Sequence, residues 1–135
     1  MKQIIQALLL SFMIAVAGSC EKDEGLLPNI SLKTGGSYIS TDVSKPGGSM
    51  ILIGINASKS ESKDVLKKFN ISKSINGAAA ASVFDKDLTG SEGDNYNYDF
   101  LPTLESVTGQ TNKYIFTVTN RDGLVNQVSL TITIQ

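Results

Sequence analysis

Apolar and polar side chains alternate most clearly in the last third of the chain. Every second residue of segment 113–119 is apolar, and so is every second residue from Val128 to Ile134. An Asn-Arg-Asp-Gly turn at 120–123 separates the two segments. Strict alternation is typical of strands that bury one face. The pattern therefore predicts an antiparallel hairpin with one face in water.

Shorter strand patterns precede this hairpin. They occupy residues 29–33, 37–41, 50–57, 65–75, 79–84 and 96–100. Turn signals separate them: Gly-Gly at 35–36, Lys-Pro-Gly-Gly at 45–48, Asn-Gly at 76–77 and a loop rich in Asp and Gly at 85–95. Gly54 lies inside the most apolar of these segments, so we expect a bulge or a close backbone approach there.

This density of strands and turns predicts an all-β fold, a single antiparallel β-sandwich of about seven strands. Residues 114–123, an aromatic strand followed by a polar Asp-Gly turn, resemble the F–G hairpin of fibronectin-type and polycystic-kidney-disease-type domains. Residues 51–59, an apolar strand that enters a polar loop, resemble their B strand. The resemblance implies an immunoglobulin-like sandwich over residues 29–135, and it implies nothing about a ligand.

The first nineteen residues have the pattern of an export signal. Lys2 supplies a positive charge, and the apolar stretch 4–17 is too short to span a bilayer but fits the hydrophobic region of a signal peptide. Small residues at 17–19 precede Cys20, which begins a polar stretch. A cysteine at this junction is well placed to carry a lipid. We therefore expect a signal peptide at 1–19 and a tether at 20–28.

The residues around Cys20 also resemble a known export pattern. Ala-Gly-Ser-Cys at 17–20 resembles the lipobox of bacterial lipoproteins. The acidic group Glu21, Lys22, Asp23 and Glu24 resembles the export tag of Bacteroidota surface lipoproteins. The resemblance implies acylation of Cys20 and a lipid-anchored position on the outer membrane, at the cell surface. A solvated tether remains the alternative for the acidic group, and it would leave the protein facing the periplasm.

Composition removes several classes of function. Twelve basic and thirteen acidic residues give a net charge of −1, so the chain has no electrostatic reason to bind nucleic acid. It has no His and one Cys, which excludes Ser-His-Asp and Cys-His catalysis and an internal disulfide. It also lacks the Gly-x-Ser-x-Gly pattern of a nucleophile elbow. We predict that the protein is not an enzyme.

Two groups of residues are candidate binding sites. Asp85, Asp87 and Asp94 place carboxylates in the predicted acidic loop, where they could hold calcium or form a solvated surface. Tyr96 and Tyr98 share one strand face. Their rings could stack on sugars, or they could line the core with their hydroxyls at its rim.

The sequence favours a non-catalytic cell-envelope lipoprotein that acts as a binding, adhesion or assembly module. One alternative is a glycan-binding accessory protein of a polysaccharide-uptake system. Another is a calcium-dependent structural module. The expected contacts are the membrane, through a lipid on Cys20, and an unidentified protein or glycan. We expect no nucleic acid partner and no cofactor, with calcium as the one alternative.

Overall fold

A computed structural model describes residues 25–135. The predicted signal peptide, Cys20 and the acidic tag lie outside this part of the chain. The described strands are β1 (Asn29–Leu32), β2 (Val43–Lys45), β3 (Ile53–Ser58), β4 (Leu66–Ile75), β5 (Ala81–Asp87), β6 (Asn95–Phe100), β7 (Thr111–Asn120) and β8 (Val125–Ile134). A short 3-10 turn, Gly90–Gly93, precedes β6. No helix within residues 25–135 is long and apolar enough to cross a membrane.

The strands form two sheets that pack face to face. One sheet has three strands in the order β1-β3-β6, and the other has five in the order β2-β8-β7-β4-β5. The predicted hairpin is the centre of the larger sheet, with Phe116 opposite Val128 and Tyr114 opposite Leu130. Alternate residues of a strand point to opposite faces of the sheet, and these four side chains share the face that packs on the smaller sheet. The predicted all-β sandwich is therefore confirmed.

An aromatic cluster fills the core between the sheets. Phe69 on β4 is fully buried, and its ring centroid lies 5.2 Å from that of Tyr96 and 5.8 Å from that of Tyr98 on the facing sheet. Phe84, on the edge strand β5, packs edge-on against Phe69 at 6.1 Å. Aromatic pairs in this distance range add to the stability gained from area burial. The cluster thus joins the small sheet to the outermost strand of the large one.

The structure differs from the predicted strand plan in three places. Residues 37–41 form no strand, and Tyr38 makes only an isolated bridge to Leu52. Instead β2 pairs with the end of β8 in parallel, so the sandwich is not wholly antiparallel. The predicted acidic loop at 85–95 begins later, because β5 continues to Asp87 along β4.

The two ends of the sandwich carry different loops. Residues 25–28 lie at one end, together with loops 59–65, 88–94 and 121–124, and we call this the proximal end. The distal end carries turns 46–49 and 76–80, loop 101–110 and the C-terminal Gln135.

Candidate binding surface

The outer face of the three-stranded sheet carries two rows of small polar side chains. Asn29, Ser58 and Asn95 are paired across the three strands in one row. Ser31, Asn56 and Asn97 are paired in the next row. We call these six residues the amide face. The residues that alternate with them along the strands point towards the core: Ile30, Ile55, Ala57 and Tyr96.

Three side-chain amides of the amide face make no hydrogen bond to the rest of the domain. Within residues 25–135, the amides of Asn56, Asn95 and Asn97 have no hydrogen-bond partner, although all three residues are exposed on regular strands. Asn29 makes one long bond, from its Nδ2 to Ser58 Oγ at 3.4 Å. Each amide can donate two hydrogen bonds and accept two. The face therefore offers many donors and acceptors that folding does not use.

A shallow groove of about 570 Å³ follows this surface. Its lining is the amide face together with Ile30, Ala57 and Asn126. None of these residues is charged. Asn126, on β8, donates from Nδ2 to the carbonyl of Pro28 at 2.9 Å, which fixes the groove wall beside β1.

A charged cluster ends the neutral surface on its distal side. Lys33 Nζ lies 2.7 Å from Asp99 Oδ1, and the Tyr38 hydroxyl donates to the same carboxylate at 3.1 Å. The hydrogen bond from Lys33 is the main reason that the pKa of Asp99 is lowered. The Tyr38 ring lies against Gly54, where an added Cβ would sit 2.5 Å from ring atom Cε1. The close approach predicted at Gly54 is thus confirmed. Its partner, Tyr38, lies in the segment 37–41 that the sequence pattern predicts as a strand.

The chain that enters the domain is bound to its proximal end. The carbonyl of Leu26 accepts from Asn120 Nδ2 at 3.4 Å, and that of Leu27 accepts from the Ser60 hydroxyl. Pro28 is fully buried. Residues 26–28, predicted as the end of a tether, therefore belong to the folded domain.

A polar network closes the distal end. Lys73 points inward from β4 and forms an ion pair with Glu105 of loop 101–110. Glu105 also accepts from the buried amide Asn112 Nδ2 at 2.7 Å. These contacts, chiefly the bond from Lys73, hold the pKa of Glu105 below its usual value. Tyr114 lies beneath them, and its burial raises the pKa of its hydroxyl.

Replacing Glu105 by glutamine should make the free energy of unfolding depend less on pH in the acidic range. Because the pKa of Glu105 is lowered in the folded state, its ion pair stabilises the protein fully at pH values above 4.5, the ordinary pKa of this group. That contribution is lost as pH falls through the lower folded-state pKa. Since the carboxylate is partly exposed, we expect Glu105→Gln to cost less than about 1 kcal/mol at pH 7 and a smaller amount at pH 3. Urea unfolding at both pH values measures the difference. An equal loss at the two values would contradict the assignment.

The candidate acidic residues occupy two separate settings. Asp85 and Asp87 lie on β5 opposite Asn70 and Lys68, on the outer face of the large sheet. Asp94 follows the 3-10 turn and forms an ion pair with Lys59 at 2.7 Å. Within residues 25–135, no group of three or more His, Cys, Asp or Glu side chains is arranged to hold a metal ion. The structure therefore does not assemble the three carboxylates into a calcium site.

The candidate tyrosines belong to the aromatic core. Tyr96 is 7% exposed, and burial is the main cause that raises its pKa to about 12. Tyr98 is partly exposed, and its ring stacks on Phe84 with centroids 4.7 Å apart. Of the two roles considered for this pair, the core-lining one matches these contacts. The surface on this strand is formed by the intervening residues Asn95 and Asn97.

The architecture is that of an immunoglobulin-like β-sandwich, with the first, third and sixth strands in one sheet and the others in the second. A superoxide reductase (neelaredoxin) from Ignicoccus hospitalis is similar, with a TM-score of 0.53 and 7% sequence identity, covering 82% of this chain and 81% of that one. The sporulation control protein Spo0M from Bacillus subtilis matches with a TM-score of 0.48 and 10% identity, over 82% of this chain and 50% of its own. At these identities the likeness concerns the fold alone. No protein-family model and no curated protein sequence matches the chain.

Proposed function

We propose that this protein is a non-catalytic cell-envelope lipoprotein, anchored through Cys20, that binds a partner with the amide face. The observation that carries the binding role is the set of three strand amides without an internal partner. Asparagine is depleted in strands, so a sheet that carries it is less stable. Three exposed strand asparagines therefore indicate that these side chains have another use. The absence of His from the sequence supports a role without catalysis.

The attachment of residues 26–28 supports an anchored arrangement. Five peptide units separate Cys20 from Gly25. At full extension they span at most about 18 Å. A lipid on Cys20 would then keep the proximal end close to the membrane and turn the distal end away from it. The amide face would stand on the side of the domain, open to large ligands.

Acylation can be tested on the single cysteine. We expect cells fed an alkyne analogue of palmitate to label the wild-type protein, and the Cys20→Ser variant to lose both the label and membrane association, because the chain has no other thiol. Two or more acyl chains anchor a protein firmly to a bilayer. Ser19→Ala keeps a small residue before Cys20 and should retain the label. A Cys20→Ser protein that stays labelled in the membrane fraction would contradict the proposal.

Surface display is tested separately by protease treatment of intact cells. We expect the wild-type protein to be digested and a variant with Glu21, Lys22, Asp23 and Glu24 changed to alanine to be protected. If both proteins are protected, the acidic group is a tether and the domain faces the periplasm. Digestion of both would show that display does not need these residues.

A further inference from the structure

The ligand of the amide face can be narrowed by the chemistry of the groove. Its nine lining residues include five asparagines and two serines, and none carries a charge. A charged ligand would enter this groove with no opposite charge to replace its hydration, at a large cost. An apolar ligand would cover amides that lose their water without gaining a partner. The groove therefore suits a neutral ligand that is dense in both donors and acceptors.

We propose that the amide face binds a neutral saccharide chain. This inference rests on the proposed binding function and names its ligand class. Each sugar hydroxyl can donate and accept, as each asparagine amide can, so neighbouring hydroxyls pair with the O and N of one side chain. The free amides of Asn56, Asn95 and Asn97 supply these contacts.

The spacing of the rows gives the site a direction and a length. Side chains on neighbouring strands stand about 4.8 Å apart, and successive rows along the strands stand about 7 Å apart. The two rows of amides are followed by the pair formed by Gly54 and Asp99. There the Asp99 carboxylate accepts hydrogen bonds from Lys33 and from Tyr38, within the charged cluster. A bound chain would contact both amide rows, with the charged cluster as its distal limit.

A peptide ligand fits this surface less well. Extended peptides commonly add to an exposed sheet edge, where backbone groups are free and pockets receive side chains. The amide face lies on the flat of the sheet, and its central residue Asn56 stands on a strand paired on both sides. The two apolar residues that line the groove, Ile30 and Ala57, turn their side chains towards the core. This surface has no deep pocket for a peptide side chain.

The test is native gel electrophoresis of the full-length protein in mild detergent, with polysaccharides cast in the gel. The neutral probes are an α-glucan, a mixed-linkage β-glucan, a xylan and a mannan, and the anionic probe is polygalacturonate. We expect at least one neutral polymer to retard the wild-type protein. Asn56→Thr with Asn97→Thr should weaken that binding by about tenfold or more, since at least two hydrogen bonds are lost.

The matched control places the same kind of change on the other sheet. Asn70 and Gln127 share a row on the outer face of the large sheet, flanking Thr117. Asn70→Thr with Gln127→Thr should leave retardation unchanged. Threonine favours strands, so thermal unfolding should show both double variants folded.

Several results would overturn the inference. The first is retardation by polygalacturonate alone. The second is equal retardation of the wild-type protein and the variant changed at Asn56 and Asn97. The third is the absence both of retardation by any neutral polymer and of signal on an array of neutral glycans. Binding to a peptide array without any glycan signal would also overturn it, while leaving the binding role in place. Loss of label in Cys20→Ser reports on the anchor independently, so the failure of one proposal can be told from the failure of the other.

Discussion

Replacing Phe69 by alanine should lower the free energy of unfolding by about 3–5 kcal/mol, a large part of the stability of a domain of this size. The side chain is fully buried and contacts the rings of Phe84, Tyr96 and Tyr98. Its removal leaves a cavity between two sheets that cannot close without moving both of them. Urea unfolding followed by tyrosine fluorescence measures the change.

The control for this substitution lies on the neighbouring edge strand. Val83 is 48% exposed on β5, so Val83→Ala should change the free energy of unfolding by no more than about 0.5 kcal/mol. A loss below about 1 kcal/mol for Phe69→Ala would mean that the aromatic cluster does not hold the sheets together.

Asn120→Ala is expected to cost about 2–4 kcal/mol, although it removes only a small polar group. Asn120 is 2% exposed at the end of β7, and its Nδ2 donates to Asp64 Oδ2 at 2.7 Å. Its Oδ1 accepts from the backbone of Asp122 and Leu124 and so shapes the β7–β8 turn. Without it, the buried Asp64 carboxylate keeps only its bond from the Val65 amide.

The same change on the amide face provides the comparison. Asn97 is exposed, and its side-chain amide has no hydrogen-bond partner within residues 25–135. Asn97→Ala should therefore leave the free energy of unfolding within about 0.5 kcal/mol of the wild-type value. Similar costs for Asn120→Ala and Asn97→Ala would contradict the stabilising role of the buried hydrogen bonds of Asn120. Because Asn120 also bonds the Leu26 carbonyl, its loss should further increase proteolysis near residues 25–28.

The sequence pattern predicted the elements whose faces differ most in burial. The middle of β7 and most of β8 place apolar residues at every second position, because one face of the pair lies on the core and the other in water. Gly54 was recognised because an unsubstituted residue in an apolar strand often marks a close contact. The contact itself, with the Tyr38 ring, could not be foreseen because it depends on where the segment after β1 places Tyr38.

The strand plan was wrong in two places because contacts between distant parts of the chain leave no local pattern. β2 is three residues long and pairs in parallel with the distant end of β8, so it carries no periodic signal of its own. Residues 37–41 have strand-like composition, but Tyr38 turns to Gly54 and Asp99. In both places, contacts with distant parts of the chain decide the conformation.

The amide face could not be predicted from the sequence because its rows form across strands. Asn56 and Asn97 become neighbours only through the β3–β6 register, and Asn29 joins Asn95 through Ser58. Along each strand these residues look like ordinary solvent-facing positions. The tyrosines that alternate with the asparagines of β6 were the more conspicuous signal, yet both rings pack into the core cluster.

The binding role of the amide face is tested most directly by following side-chain amide resonances. The full-length protein in detergent micelles is titrated with neutral hexasaccharides of α-glucan, β-glucan, xylan and mannan while ¹H–¹⁵N spectra are recorded. We predict that one of these ligands shifts the NH₂ signals of Asn56, Asn95 and Asn97, and leaves those of Asn70 and Gln127 on the opposite sheet in place. Shifts confined to the opposite sheet, or no shift with any of the four ligands, would contradict the account.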